Sequence, residues 1–500
     1  MVADNLAVQL TAPNGRTYAQ PTGLYINGEW VKSDKGATLA SIDPATEKTI
    51  VSVQSGSKAD IDKAVAAARA ALKSPEWKNL PGTDRGRLLN RLADLVDAHR
   101  ETLATIETWD NGKPYTVSLN EDMNEVTSTL RYYAGFADKV FGQVIETNPD
   151  KFAYTVREPV GVCGQIIPWN YPLAMAAWKM GPALACGNTV VLKPAEQTPL
   201  SILYFANLIA EAGFPPGVVN VVNGLGAQAG AALASHMGVD KIAFTGSTNT
   251  AREIMKMAAG NLKNITLETG GKSPLLVFDD AEMDNAVEWA HGGIMSNQGQ
   301  ICTATSRILV QEGVYRQFVD AFKKQIREVS CVGDPFEEKT FQGPQVTKAQ
   351  HERILQYVNV GLKEGATLES GGQRVGDKGF YVQPTVFTGV KPAMRIFQEE
   401  VFGPFVTIMP FRTEEEAVEL ANDTQYGLGA AVFTTNLTRA HRVARAIEAG
   451  MVWVNSSQDS DPRIPFGGVK QSGIGRELGE AGLEAYSTVK AIHVNMRSKL

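Results

Sequence analysis

The chain has 500 residues, 43% hydrophobic and 20% charged, with 48 Lys and Arg against 54 Asp and Glu for a net charge of −6. At roughly 100–200 residues per domain this argues for two to four globular domains, and it excludes a disordered, collagenous or coiled-coil chain. The mild acidity gives no electrostatic case for nucleic acid or an anionic membrane, and no run reaches the roughly 18 apolar residues of a spanning helix.

The start, MVADNLAVQLTAPNG, has an acid at Asp4 and no base before Arg16, so a cytoplasmic location is expected. The pair Asn27-Gly28 within LYINGEW predicts an early β-hairpin. Ser57 with Asp60 three residues on forms a capping-box pattern that opens a helix. A second helix starts near Thr83, with Leu88, Leu89, Leu92, Leu95 and Val96 at helical spacing. A third follows Pro114 and runs into RYYAG.

From about residue 151 the pattern changes. YTVREPVGVCGQIIPW, NTVVLKP, GVVNVVNG and KIAFTGS read as strands, and PLAMAAWKMGPALACG, LSILYFANLIAEAGF and AQAGAALASHMG between them as helices. Alternating strands and helices imply a doubly wound parallel sheet of the nucleotide-binding kind. A second α/β stretch follows from about 270 to 470, with strands SPLLVF, SRILVQ, VTIMPF, AAVFTT and GMVWVN. No Ser/Gly-rich linker separates the two, so they pack closely around a cleft. The tail TVKAIHV is a further strand that needs a pairing partner.

Four cysteines and six histidines are scattered without ligand spacing, so no metal site is expected. Gly224, Gly226 and Gly230 follow a strand as a loose GxGxxxG, which fits a tight turn as well as a dinucleotide contact. Gly246 and Ser247 lie where a strand enters a helix, a place for a phosphate or simply for a cap. Cys302 sits among Gln298, Gly299, Gln300 and Thr303, a polar loop that suits a nucleophile as well as a packing thiol. Glu268 in ITLETGGKSP and Glu399 in FQEEVFGPF fit caps or functional carboxylates, and Asn170 in PWNYP fits a cap or an oxyanion donor.

Taken together these segments resemble one family. PWNYPL, VVLKPAEQTP, FTGST, LETGGKSP, GQICTATSR, EEVFGPF and PFGGVKQSGIGRELG occur in the order and at the spacing of the aldehyde dehydrogenase superfamily, over about residues 20–495. The chain is most similar to its cytosolic and mitochondrial tetrameric branch, with betaine and aminoaldehyde enzymes close by. Thr269 departs from the family's usual Leu, read as a packing change.

The resemblance implies an EC 1.2.1 type enzyme that oxidises an aldehyde to the acid with NAD, through a cysteine thiohemiacetal and thioester. It makes Cys302 the nucleophile, Asn170 the oxyanion donor, Glu268 the general base, and Glu477 with Lys179 a second proton station. On the cofactor side it implies Lys193 and Glu196 at the adenosine ribose, Gly226 on the adenine side, Gly246 and Ser247 at the pyrophosphate, and Glu399 and Phe402 at the nicotinamide ribose and ring. Ile167 and Trp169 line the same cleft. A carboxylate at Glu196 repels a 2′-phosphate, which favours NAD over NADP.

The substrate tunnel it implies is lined by Glu125, Tyr171, Trp178, Ile301, Thr303 and Phe466, widened by Gly292, Ser296 and Ser460 where relatives often carry rings. Asp122 and Glu125 fall at its mouth, so a cationic aminoaldehyde is the alternative to a neutral aldehyde. A silent relative would lack the cysteine or the base, and a CoA-acylating one would lack Glu268. The implied architecture is a Rossmann-like NAD-binding domain (1–140 and 160–270), an α/β catalytic domain (271–486) and a β oligomerisation arm (141–159 and 487–500). The arm's tail strand would pair across a subunit boundary in a homotetramer.

Overall fold

A computed structural model describes residues 6–497. It is a mixed α/β protein with two large parallel-rich sheets and a three-stranded sheet standing apart from them. The hairpin forms at Asn27-Gly28, both at positive φ (55° and 80°), as a two-residue turn requires. Ser57 and Asp60 make the reciprocal capping box of helix Lys58–Lys73.

The first sheet has eight strands. Its parallel centre runs Asn264–Glu268, Lys241–Thr245, Val162–Ile166, Thr189–Lys193, Val219–Val221. The early hairpin closes one edge, and Gly473–Ile474 closes the other, antiparallel to Asn264–Glu268. Chain order reverses between Val162–Ile166 and Lys241–Thr245. A crevice opens at the carboxyl ends of strands at such a switch point, and here those ends carry Ile167–Tyr171 and Gly246.

The second sheet has seven strands: Thr367–Ser370, Thr385–Thr388, Phe405–Phe411, Arg307–Gln311, Pro274–Val277, Gly429–Phe433 and Met451–Val454. All pairs are parallel except the first. Its strand Pro274–Val277 begins six residues after Glu268, so the Thr269–Ser273 connection ties the two sheets together at the crevice.

The run YTVREPVGVCGQIIPW is two strands rather than one. Lys151–Pro159 belongs to the small sheet and Val162–Ile166 to the first, with Gly161 at φ 134° between them. The tail Ser487–Asn495 pairs over nine positions with Lys151–Pro159 of its own chain, which in turn pairs with Val144–Asn148. The tail thus finds one partner within the chain, and its other edge is open among the described residues. Residues 1–5 and 498–500, at the ends of the expected first domain and arm, lie outside the described residues. None of the described helices is long and apolar enough to cross a membrane.

Candidate active site

A cavity of about 640 Å³ opens between the two large sheets. Such a volume is ordinary for a small-molecule site. Cys302, Glu268, Asn170, Glu477, Trp169, Gly246, Ser247 and Phe402 all face it, as do Glu125, Tyr171, Trp178, Ile301, Thr303 and Phe466 from the tunnel side.

Cys302 rides on a tightly tied loop. Asn297, Gln298 and Gly299 adopt three successive left-handed conformations (φ 46°, 57°, 69°). A Cβ on Gly299 would sit 2.0 Å from Gly403 O, so only glycine fits there. The glutamines beside the thiol are fully buried: Gln298 O accepts from Gln345 Nε2 at 3.3 Å, and Gln300 Oε1 from Val346 N at 3.1 Å. The polar setting read from the sequence is therefore a set of internal ties that hold the thiol toward the cavity.

Asn170 Nδ2 donates to Gln300 O at 2.9 Å, which leaves its second N–H for a ligand oxygen. Two further amides hold this wall. Asn111 Nδ2 donates to Trp169 O at 2.6 Å, and Asn297 Nδ2 donates to Asn170 O and Gln300 O at 3.2 Å each. Neither was singled out in the sequence, although the Asn-Gly-Lys-Pro run at 111–114 is turn-like.

Glu268 ends its strand buried (2% exposed), and neither carboxylate oxygen has a hydrogen-bond partner among the described residues. Burial, then the nearby Glu477, pushes its carboxyl well above the usual range. Glu477 accepts from Lys179 Nζ at 2.7 and 2.9 Å, and the same ammonium donates to Thr245 Oγ1 at 2.6 Å. Lys179 stands behind the cavity wall rather than in it. Burial, then Glu400 and Glu268, pushes the Cys302 thiol up to about 12, so it rests protonated.

The two glutamates of the EEVFGPF segment part company. Glu399 points outward: it pairs with Arg395 at 2.8 Å and accepts from Tyr357 Oη at 2.5 Å, and it does not line the cavity. Glu400 does line it, accepts from Gly271 N at 3.0 Å, and is close enough to raise the Cys302 thiol. The expectation at Glu399 is therefore corrected to its neighbour. In an extended backbone successive side chains point opposite ways, and Glu399 (φ −99°, ψ 142°) is extended. The i,i+4 spacing of Arg395 and Glu399 was the available signal for which one faces out.

Four expected cofactor residues lie away from the main cavity but near one another. Lys193 Nζ donates to Pro194 O at 2.8 Å and pairs with Glu196 at 3.2 Å. A Cβ on Gly226 would come 4.0 Å from Glu196 Oε1, and one on Gly230 would come 3.5 Å from Lys193 Cδ, so bare backbone faces this pair. Ile167 N donates to Lys193 O at 3.2 Å at the strand ends. Ser247 caps helix Thr248–Ala258, accepting from Thr250 N at 3.2 Å. Phe402, at φ 61°, meets the Trp169 ring edge-on at 5.2 Å. Paired lysine and glutamate, exposed glycine backbone and a capped helix start suit hydroxyl groups and a pyrophosphate.

The tunnel is polar at its mouth. Trp178 Nε1 donates to Glu125 Oε1 at 2.8 Å, and burial, then Asp122, raises the Glu125 carboxyl to about 7. Asp122 instead binds the buried Lys113 at 2.6 Å, and that ammonium sits 4.1 Å above the Tyr171 ring. Ser296 and Ser460 line the cavity, but Gly292 does not. Thr303 Oγ1 donates to Gln458 Oε1, and Gln458 Nε2 returns a bond to Thr303 O at 2.8 Å. Thr269 is more than a packing change, since its hydroxyl donates to Gln471 O at 2.6 Å. Among the described residues no group of three or more His, Cys, Asp or Glu is gathered as a metal cluster would need.

Residues 30–492 match the model of the aldehyde dehydrogenase family. An aldehyde dehydrogenase of Emericella nidulans is 55% identical over 484 residues, covering 97% of each chain. The mitochondrial aldehyde dehydrogenase of Homo sapiens is 53% identical over 492 residues, 98% of this chain and 95% of the relative. The crystal structure of betaine aldehyde dehydrogenase from Staphylococcus aureus in complex with NAD+ superposes with a TM-score of 0.94 at 42% identity, covering 96% of each chain.

Proposed function

The chain belongs to the aldehyde dehydrogenase family and is an oxidoreductase acting on aldehydes, and from that premise we propose NAD-dependent oxidation of a neutral aldehyde to its acid through a thioester on Cys302. What carries the reading is that a thiol, an amide donor and an unpartnered buried carboxylate face one cavity.

The Cys302 thiol gives up its proton to water in the open cleft, and its sulfur attacks the carbonyl carbon, forming a C–S bond as the C=O π pair moves onto oxygen. The Asn170 Nδ2–H and the Cys302 backbone N–H receive the oxyanion in a site where little water competes. Capture as a tetrahedral alkoxide turns a poor hydride donor into a good one. NAD, when bound, supplies the acceptor for that hydride. Glu268 then takes a proton from the water that attacks the thioester, the C–S bond breaks, and the acid leaves. Its raised pKa makes it a stronger base than an ordinary carboxylate, and Glu477 with Lys179 forms the next proton station.

Lys193, Glu196 and Gly226 would hold the adenosine end, Gly246 and Ser247 the pyrophosphate, and Glu400 with Phe402 the nicotinamide ribose and ring. Glu196 beside a ribose hydroxyl favours NAD, with NADP second. The betaine and aminoaldehyde reading is less well supported, because the chain's own Lys113 already covers one face of Tyr171 and neutralises Asp122. The proposed assembly is a homotetramer, with 1–140 and 160–270 as cofactor domain, 271–486 as catalytic domain, and 141–159 with 487–500 as arm. The proposed location is the cytoplasm, since all four cysteines are free, as in a reducing compartment; the human relative's mitochondrial designation marks the alternative.

The test is NADH formation from propanal and NAD, with and without CoA, in wild type and Cys302→Ser. Wild type should turn over without CoA, and the variant should lose at least about three powers of ten in rate while still binding NAD. Near wild-type turnover in Cys302→Ser, or a strict need for CoA, would overturn the reading.

A further inference from the structure

A polar seam leads away from Glu268 along one face of the first sheet. Residues two apart on a strand share a face, as do residues opposite each other on parallel neighbours. The register sets Thr245 beside Glu268, Ala243 beside Thr266 and Lys241 beside Asn264. On the other flank it sets Ala243 beside Gln165 and Lys241 beside Cys163. One face thus carries Glu268, Thr266, Asn264, Thr245, Lys241 and Gln165, while Ile242, Phe244, Ile166 and Leu267 of the other face pack into an apolar core.

Exposure changes along this seam. Glu268 and Thr266 are buried, and Asn264 is exposed, about 13 Å away at the usual strand rise. At the upper end Lys179 bridges Thr245 and Glu477. At the lower end Lys241 Nζ donates to Thr266 Oγ1 at 2.7 Å and lies 5.0 Å from the centre of the Tyr486 ring. Gln165 spans the two, its Nε2 donating to Lys179 O at 2.8 Å and Tyr486 Oη at 3.3 Å. Its buried Oε1 has no partner among the described residues. Lining a sheet interior with such groups costs desolvation that apolar residues would avoid. The chemistry above uses Glu268, Glu477 and Lys179, and gives Thr245, Thr266, Lys241, Gln165 and Asn264 no part.

We propose that this seam carries the proton taken up by Glu268 out to solvent at Asn264, with Lys241 as its far station. The inference rests on the assignment of Glu268 as base. When water attacks the thioester, the C–O bond forms, the C–S bond breaks, and the water's proton goes to Glu268. From there it passes to the Glu477, Lys179 and Thr245 group, crosses the polar gap at Gln165 on water, and reaches Lys241, which releases a proton at the Asn264 end. No electrons are exchanged. A rear route lets the proton leave without crossing the cavity that Glu268 lines. Lys241 faces Cys163, Thr266 and Tyr486 directly, and Glu477 and Lys179 at longer range. Burial brings its ammonium down to about 8, where it can exchange a proton near neutrality.

The experiment resolves hydride transfer from thioester hydrolysis by stopped flow, across pH and in H2O and D2O, in wild type, Glu268→Gln, Lys241→Met, Lys241→Arg and Thr266→Val. Lys241→Met and Lys241→Arg should leave the hydride step within about twofold. Both should slow hydrolysis about tenfold or more, displace its pH profile and change its solvent isotope effect. Thr266→Val, which swaps a hydroxyl for a methyl, should move the same quantities less and guards against misfolding of the lysine variants. Arginine keeps the charge but cannot release its proton, so rescue by Lys241→Arg would mean a structural role and would overturn the proposal. So would an unchanged pH profile in the lysine variants and Thr266→Val while Glu268→Gln still slows hydrolysis. If Glu268→Gln leaves hydrolysis unchanged, the base assignment itself fails, and the seam with it.

Discussion

Two adjacent glutamates show how finely residue identity is set by direction. Glu399 is tied to Arg395 and Tyr357, whereas Glu400, equally half-buried, faces the cavity. Composition cannot separate them, because consecutive extended residues alternate faces, and only the Arg395 spacing held a clue. Glu400→Gln should lower kcat by about tenfold or more, since it weakens the hold proposed for the nicotinamide ribose and so misplaces the hydride acceptor, while Glu399→Gln should leave kcat/KM within about twofold. Steady-state kinetics on both variants decides, and the reverse order would return the role to Glu399. Glu268 carries a cost that the same chemistry imposes. Its folded-state pKa lies well above the ordinary 4.5, so between those values the folded chain holds a proton that the unfolded chain releases. Stability therefore falls as pH rises through that window, by up to about 1.4 kcal/mol per pH unit from this group. Glu268→Gln removes the penalty. Its urea midpoint should match wild type near pH 4 and exceed it at pH 8; a lower midpoint at pH 8 would mean that the carboxylate is stabilised in the folded state.

At the scale of elements, what is local was legible and what depends on distant partners was not. The Asn27-Gly28 hairpin and the Ser57 capping box are written in adjacent residues. The division at Val160-Gly161 is only half written there: Pro159 and Gly161 mark a break, but nothing local says that the two halves join different sheets. The four-residue strands Thr367–Ser370 and Thr385–Thr388, and the helix Arg100–Asn111, also escaped notice. The helix after Pro114 is interrupted by a π-turn at Ser118–Asp122, a feature that places one extra residue in the turn and is frequent at functional sites. Asp122, within that turn, meets Lys113, and Lys113 meets Tyr171. The family resemblance put Asp122 and Glu125 together at the tunnel mouth as acids for a cationic substrate. The structure gives Asp122 an internal cation and Glu125 an indole donor. The ratio of kcat/KM for 3-aminopropanal to that for propanal should therefore be about one or below in wild type. Lys113→Met should raise it several-fold, since a cation–π or ion contact is worth about 1–2 kcal/mol. A high ratio in wild type would favour the aminoaldehyde reading.

The molecule as a whole is left with an edge that a monomer should not keep. The tail strand Ser487–Asn495 is nine residues long, pairs on one side only, and is mostly exposed. Around it Val489, Val144 and Phe141 are 60%, 74% and 72% exposed, and Phe152, Ile145 and Met496 add to the same small sheet and its ends. Long, apolar, one-sided strands invite pairing with another chain, and soluble monomers blunt them with charge, proline or a covering element. The sequence already showed that this segment needed a partner, yet it could not say how many edges one partner would satisfy. The strand Lys151–Pro159 satisfies one, and association of copies through the other gives the apolar sheet somewhere to go. For the proposed homotetramer, in which this edge would supply one contact, sedimentation equilibrium should give four times the chain mass for wild type. Val489→Lys combined with Val144→Lys should shift it to dimer or monomer and leave the first sheet's fold intact by circular dichroism. A wild-type monomer would remove the arm's proposed role, and a tetramer that survives both lysines would locate the contact elsewhere on the surface.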